Sequence, residues 1–191
     1  MKRISLLLCW VILLQSPLLA QQYVESLDLE SLAPNRIHKL WLKMIDNGLS
    51  QPVYIPVLIA KGRQLHPVVG LTAAIHGNEL NGIPIIQQLF EGLDPASLNG
   101  TILAVPGLNA ISLPLHERRF VDEEDLNRLF PGKEDGNRSQ QYAWQIKEKL
   151  LPHIDYLVDM HTASFGRVNT LYVRADLDDF KISQMAGWLD A

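Results

Sequence analysis

The stretch "AAIHGNELNG", residues 73 to 82, closes an apolar run with a histidine and a glycine, and then sets a glutamate three positions beyond the histidine. The run that leads into it, Pro67 to Ile75, is almost continuously apolar, as a central strand covered on both faces must be. A helix is expected to follow, starting around Asn78 to Pro84 and running to about Gly92, since Pro84 is tolerated only near a first turn. This reading ends a buried strand on His76 and sets Glu79 in the first helical turn, where side chains three apart can converge on one point. Gly77 would let the backbone turn sharply between the two elements.

Working outward, Val53 to Ala60 reads as a strand, separated from Pro67 to Ile75 by the turn-prone Lys61-Gly62-Arg63. Before it, Ile37, Leu40, Trp41, Met44 and Ile45 fit the spacing of an amphipathic helix, with Asn47-Gly48 as its stop. Thr101 to Pro106 is a short buried strand. From Gly107 to Gly136 the chain is polar and punctuated, and loops of that length in a compact domain are usually functional or disordered. Ser139 is expected to cap a helix that runs to about Leu151 and stops at Pro152. Ile154 to Met160 is an apolar strand that ends on His161, Leu171 to Arg174 reads as one more strand, and Phe180 to Leu189 as a last helix. Strands alternating with helices predict an α/β fold, a partly parallel mixed sheet flanked by helices. Ligands in such sheets bind at the carboxyl ends of the strands, where His76 and His161 both stand.

Lys2 and Arg3, an apolar stretch from Ile4 to Leu14, and then Ser16, Pro17 and Ala20 follow the order of a secretory signal peptide over residues 1–20. Its apolar part is too short to span a bilayer, which takes roughly twenty residues, so no stable membrane insertion is expected after cleavage. The expected address is exported, periplasmic or secreted. Cys9, the sole cysteine, lies in that leader and leaves no disulfide for the remainder. The net charge of −4 becomes more negative once Lys2 and Arg3 are removed, and no basic stripe suggests nucleic acid as a partner. What remains is one ordinary domain in length.

Zinc takes imidazole nitrogen and carboxylate oxygen, and catalytic sites use three protein ligands while keeping one position open. His76, Glu79 and His161 are candidates for those three. The long loop carries "HERRF", residues 116–120, and "DLNRLFPG", residues 125–132. Asn127 and Arg128 form a polar fork able to grip a substrate carboxylate. Asp125 is a candidate to accept the second N–H of a metal-bound histidine. Glu123 and Glu124 read as a solvated surface.

"HGNE", "DLNRLFPG" and "DMHTASFGR", in this order and on these elements, resemble the succinylglutamate desuccinylase/aspartoacylase family, a branch of the zinc carboxypeptidase superfamily. The resemblance runs from roughly Val53 to the chain end. It implies one zinc ion on His76, Glu79 and His161, with Asn127 and Arg128 on the carboxylate of an acyl amino acid or a peptide C-terminus. It also implies Asp125 behind His76, and a carbonyl-polarising arginine for which Arg119 fits best by spacing while Arg118 adjoins it. Arg167 is a candidate substrate contact or a surface arginine.

The implied organisation is a signal peptide at 1–20, an N-terminal extension with an amphipathic helix at 21–52, and the N-terminal part of a zinc-dependent hydrolase domain at 53–191. The superfamily's general base is a glutamate well after the third ligand, yet the last glutamate here is Glu148. The chain also stops within an expected helix at "GWLDA", so the zinc carboxypeptidase-like fold is read as incomplete at its C-terminus. The expected activity is deacylation of N-acyl amino acids. The alternatives are a metallocarboxypeptidase acting on peptides or cell-wall fragments, and an inactive zinc-binding remnant.

Overall fold

The computed structural model describes residues 21–189, so the expected leader at 1–20 lies outside the described residues. Six strands make one mixed sheet: β1 (Gln22–Val24), β2 (Arg36–Asp46), β3 (Pro52–Lys61), β4 (Val68–Ala73), β5 (Thr101–Val105) and β6 (Tyr156–Met160), in the spatial order β1-β2-β3-β5-β4-β6. Strand β4 is parallel to β5 and to β6, whereas β3 runs antiparallel to both β2 and β5. Three helices accompany them: α1 (Gly82–Gly92), α2 (Arg138–Lys149) and α3 (Phe180–Trp188). The expected fold class is therefore the observed one.

Alternation along the strands sorts side chains onto two faces. Ile55, Val57 and Ile59 of β3 and Leu103 and Val105 of β5 meet Tyr142, Ile146 and Leu150 from α2 and the residue after it. Ala60 and Ala104, one position out of phase, pack with Ala73 of β4 and with Ile86 and Phe90 of α1. Helices thus cover both faces of the central strands.

Residues 37–45, expected as an amphipathic helix, form β2 instead. The apolar set satisfies both periods, because Leu40, Leu42 and Met44 also alternate, and these three are buried. Pairing decides between the two: β2 is matched to β3 without interruption from Arg36↔Lys61 to Lys43↔Tyr54 and again, past a register shift, at Asp46↔Pro52. Asn47-Gly48 is the hairpin turn of that pair, not a helix stop. The Asn47 side-chain Oδ1 accepts from the amides of Leu49 at 2.8 Å and Gln51 at 3.0 Å. Within residues 21–52, Gln22–Val24 and Arg36–Asp46 thus pair into the main sheet, where an amphipathic helix was expected.

Two smaller expectations also change. Asn137, not Ser139, caps α2, in a capping box with Gln140. Ser139 serves a different purpose, its hydroxyl and amide both donating to Asp122 Oδ2 and fastening the helix start to the long loop. Leu171 to Arg174 is irregular and not a strand, since none of the described strands pairs with it and Leu171 and Tyr172 stay exposed. Among the described residues no helix is long and apolar enough to cross a membrane.

Candidate metal centre

Strands β4 and β6 are neighbours in parallel register, with Ala73 opposite Met160, so their carboxyl ends open on one edge of the sheet. His161 follows β6 directly, while His76 lies three residues beyond β4. Between β4 and His76 the chain kinks at Ala74, which adopts a left-handed φ of 57°. The long loop holds that kink in place. Leu108 and Asn109 donate their amides to the carbonyls of Ala73 and Ala74, and the buried Asn109 side chain donates to the Ile75 carbonyl.

Glu79 reaches His76 through a turn rather than a helix, its amide donating to the His76 carbonyl at 3.0 Å while α1 begins only at Gly82. Gly77 is required for space and not for a special φ. A Cβ there would lie 2.4 Å from the backbone carbon of Ser112 and 2.6 Å from the Glu117 oxygen. That close passage brings the loop over the site.

His76, Glu79 and His161 each offer one ligand atom within 4.8 Å of the others. The two imidazoles lie edge to face with centroids 5.2 Å apart. Each histidine shows one nitrogen to Glu79 and has the other held by an aspartate. His76 Nδ1 is 3.0 Å from Glu79 Oε1, while its Nε2 donates to Asp125 Oδ1 at 2.9 Å. His161 Nδ1 is 2.9 Å from Glu79 Oε2, while its Nε2 donates to Asp159 Oδ2 at 2.6 Å. Carboxylate–imidazole pairs of this kind fix the tautomer and the ring orientation that a metal requires.

Asp159 is positioned in turn by the sheet, since it is the register partner of Thr72, whose hydroxyl donates to Asp159 Oδ1 at 2.6 Å. Glu79 is only 3% exposed, and burial alone would raise its pKa. Hydrogen bonds from Ser164 Oγ at 2.6 Å and the Thr162 amide at 3.1 Å, together with the two imidazoles, outweigh burial and hold the carboxyl below its ordinary value. For Asp125 burial likewise pushes upward, and the bond with His76 and the charge of Arg118 reverse it. The hydrogen bond with Asp159 raises the pKa of His161, against burial. The donor set of two imidazoles and one ionised carboxylate, each imidazole backed by an acid, fits a zinc ion.

Of the two adjacent arginines, the structure brings Arg118 and not Arg119 to the donor cluster. Arg118 enters the cluster, donating to Glu79 Oε1 at 2.8 Å, Ser164 Oγ at 2.7 Å and Asp125 Oδ2 at 3.1 Å. Arg119 points away, 60% exposed, with its guanidinium near Glu123. The two residues differ by one step in a loop, and burial of Phe120 against Tyr142 at 4.9 Å fixes which arginine faces inward.

Asn127 and Arg128 sit in a short turn opened by Asp125, which accepts from the Asn127 amide. Both side chains are exposed at the rim, with Arg128 Nε 3.7 Å from Asp125 Oδ2. Arg167 is exposed too, donating through Nε to the Ser164 carbonyl and lying over the Phe165 ring. Sequence reasoning missed Asp159, Thr72 and Ser164. Asp159 had a signal: residues two apart on a strand share a face, so it had to accompany His161. Ser164 had none, because its place depends on the loop after β6.

An α/β sheet with metal-type donors gathered at parallel strand ends is the class defined by this geometry. The succinylglutamate desuccinylase/aspartoacylase catalytic domain matches residues 66–191, and the chain belongs to that family. It is 33% identical over 111 residues to an N-alpha-acetyl-L-2,4-diaminobutyric acid deacetylase of Halomonas elongata, covering 58% of this chain and 32% of that protein. It is 30% identical over 141 residues to a succinylglutamate desuccinylase of Erwinia tasmaniensis, covering 63% of this chain and 40% of that protein. Among solved structures, a succinylglutamate desuccinylase/aspartoacylase from Rhodobacter sphaeroides superposes with a TM-score of 0.62 at 30% identity, covering 73% of this chain and 43% of that one. The chain spans about a third to two fifths of the length of the curated relatives it matches.

Proposed function

We propose that this chain carries the metal-binding part of a zinc-dependent hydrolase that cleaves amide bonds beside a free carboxylate, with N-acyl amino acids as the substrate class. The observation that carries the reading is the convergence of His76, Glu79 and His161 with an aspartate behind each histidine. Bound there, zinc would supply a Lewis acid for the scissile carbonyl and acidify a water. The chain's own residues divide the other work. Asp125 and Asp159 each take one nitrogen of an imidazole and leave the other facing Glu79. Arg118, whose guanidinium reaches the cluster, would stabilise negative charge on a carbonyl oxygen. Asn127 and Arg128 at the rim would hold the substrate carboxylate, Arg128 in bidentate fashion, with Arg167 as a further contact. The leader-like residues 1–20 support an exported address, where peptides, cell-wall fragments or imported acyl amino acids are the accessible substrates.

A second reading is favoured by the acidic residues after His161. Asp179 caps α3 by accepting from the Lys181 and Ile182 amides, and Asp176 accepts from the Asp178 amide, so neither is free to serve as the general base. On this reading the 191-residue chain binds zinc and N-acyl amino acids but turns them over slowly.

One set of experiments decides: zinc content of the purified chain, then calorimetric binding and hydrolysis of N-acetyl and N-succinyl amino acids beside their carboxyl-amidated forms. Zinc uptake and binding that requires the free carboxylate are expected, with weak turnover. Lack of zinc uptake overturns the proposal, and fast zinc-dependent hydrolysis overturns the second reading and directs the search for a base to Glu117, Glu123 and Glu124.

A further inference from the structure

Arg118 lies at the centre of the donor cluster. Its Nη1 is 2.8 Å from Glu79 Oε1 and 3.2 Å from His76 Nδ1, the very atoms that face the other ligands. These two atoms are themselves 3.0 Å apart. Where His76 gives its Nε2–H to Asp125, its Nδ1 can accept, and one cation can then face both atoms at once. Arg118 supplies that cation, and its Nη2 is fastened separately to Asp125 Oδ2 at 3.1 Å. The arginine side chain is about a quarter exposed and springs from the long loop, so the guanidinium has a route outward.

We propose that Arg118 is a resident cation of the metal site, which competes with the divalent ion for the lone pairs of His76 and Glu79 and swings outward when the ion binds. The inference rests on reading the cluster as a zinc site. Two positive charges cannot share those atoms at contact distance, since like charges a few ångströms apart repel strongly in a partly buried setting. The anchor on Asp125 keeps the displaced guanidinium at the rim, beside Asn127 and Arg128, where the substrate carboxylate is expected. Metal loading would then release the arginine to substrate, which makes loading an ordered process: ion first, acyl amino acid second. The three ligands alone would not set the metal affinity, because the cost of moving Arg118 is subtracted from it.

The test titrates zinc into the full chain, the Arg118→Met variant and the Arg118→Lys variant against a chromogenic chelator. Arg118→Met keeps a long apolar stem and removes the charge, and it should bind zinc at least about tenfold more tightly than the parent, with Arg118→Lys between them. Equal or weaker binding by Arg118→Met overturns the competition. Should no folded form bind zinc, the zinc reading itself falls, and the competition falls with it. A measurement on the parent chain avoids any folding defect of the variants: modification of arginines by a dicarbonyl reagent, mapped by peptide mass spectrometry with and without zinc. Arg118 should become several-fold more reactive when zinc is added, whereas unchanged or reduced reactivity would overturn the outward swing.

Discussion

The two histidine-bearing ends of the site are built to different depths. His76 is 2% exposed, behind a kinked strand end that the long loop covers, and its neighbours Asp125 and Arg118 come from that same loop. The His161 side chain is 33% exposed and follows β6, which among the described strands pairs with β4 alone. One half of the site is thus continuous with the core, and the other is carried on a sheet edge and oriented by hydrogen bonds from Thr72 through Asp159 on one side of His161 and by Glu79 on the other. The difference teaches that paired candidate ligands need not be equal structural elements: His76 is built into the core, and His161 stands at its edge.

The largest predicted contrast breaks the pair directly. His76→Ala and His161→Ala should each lower zinc affinity by more than about a hundredfold, because each removes one of three ligands. Only His76→Ala should also cost about 3 kcal/mol or more of folding stability, since it strands the buried Glu79 charge beside a cavity. Urea denaturation of the metal-free variants checks this, and equal stability losses would contradict the contrast.

Next comes the support behind each ring. Asp159→Asn should weaken zinc binding by roughly tenfold to a hundredfold while changing stability by less than about 1 kcal/mol, and Thr72→Val should give a smaller loss in the same direction. Chelator competition on both variants measures it. Asp125→Asn should show a similar loss of affinity together with a visible loss of stability, because Asp125 also starts the turn that carries Asn127 and pairs with Arg118. The loop itself can be loosened through Tyr142, whose buried hydroxyl donates to the Leu108 carbonyl at 2.8 Å and accepts from the Ala110 amide. Tyr142→Phe should cost about 1–2 kcal/mol, read by thermal unfolding, since two backbone groups under the loop lose their partner.

The smallest effect concerns pH at the edge. The hydrogen bond with His66, and then that from the Val68 amide, hold Asp155 below the ordinary carboxylate range. A depressed folded pKa contributes stability above the unfolded value, which is lost as pH falls through the folded one. The parent should therefore lose, between about pH 4 and lower values, a contribution that Asp155→Asn never had, worth only about 1–2 °C in Tm because the pair is exposed. Parallel Tm–pH curves for both proteins would remove this pair from the account.

Much of the arrangement was legible from residues alone. A nearly continuous apolar run marked β4 and an apolar strand pattern marked β6, and the histidines beyond them marked the sheet edge where the candidate site lies. What could not be read depended on partners far away in sequence. The spacing at 37–45 satisfies a helix and a strand equally, and only the ladder with β3 selects the strand. Arg118 and Arg119 are adjacent and chemically identical, and the burial of Phe120 under α2 chooses between them. Gly77 reads as a flexible turn residue, but its need arises from Ser112 and Glu117, more than thirty positions on.

The central claim is tested most directly by metal analysis combined with X-ray absorption at the zinc edge on the purified, zinc-loaded chain. One zinc per chain is predicted, coordinated by two imidazoles and light oxygen donors, and lost in the double variant His76→Ala, His161→Ala. A chain that takes up no zinc, or a zinc signal that persists unchanged in the double variant, would contradict the account.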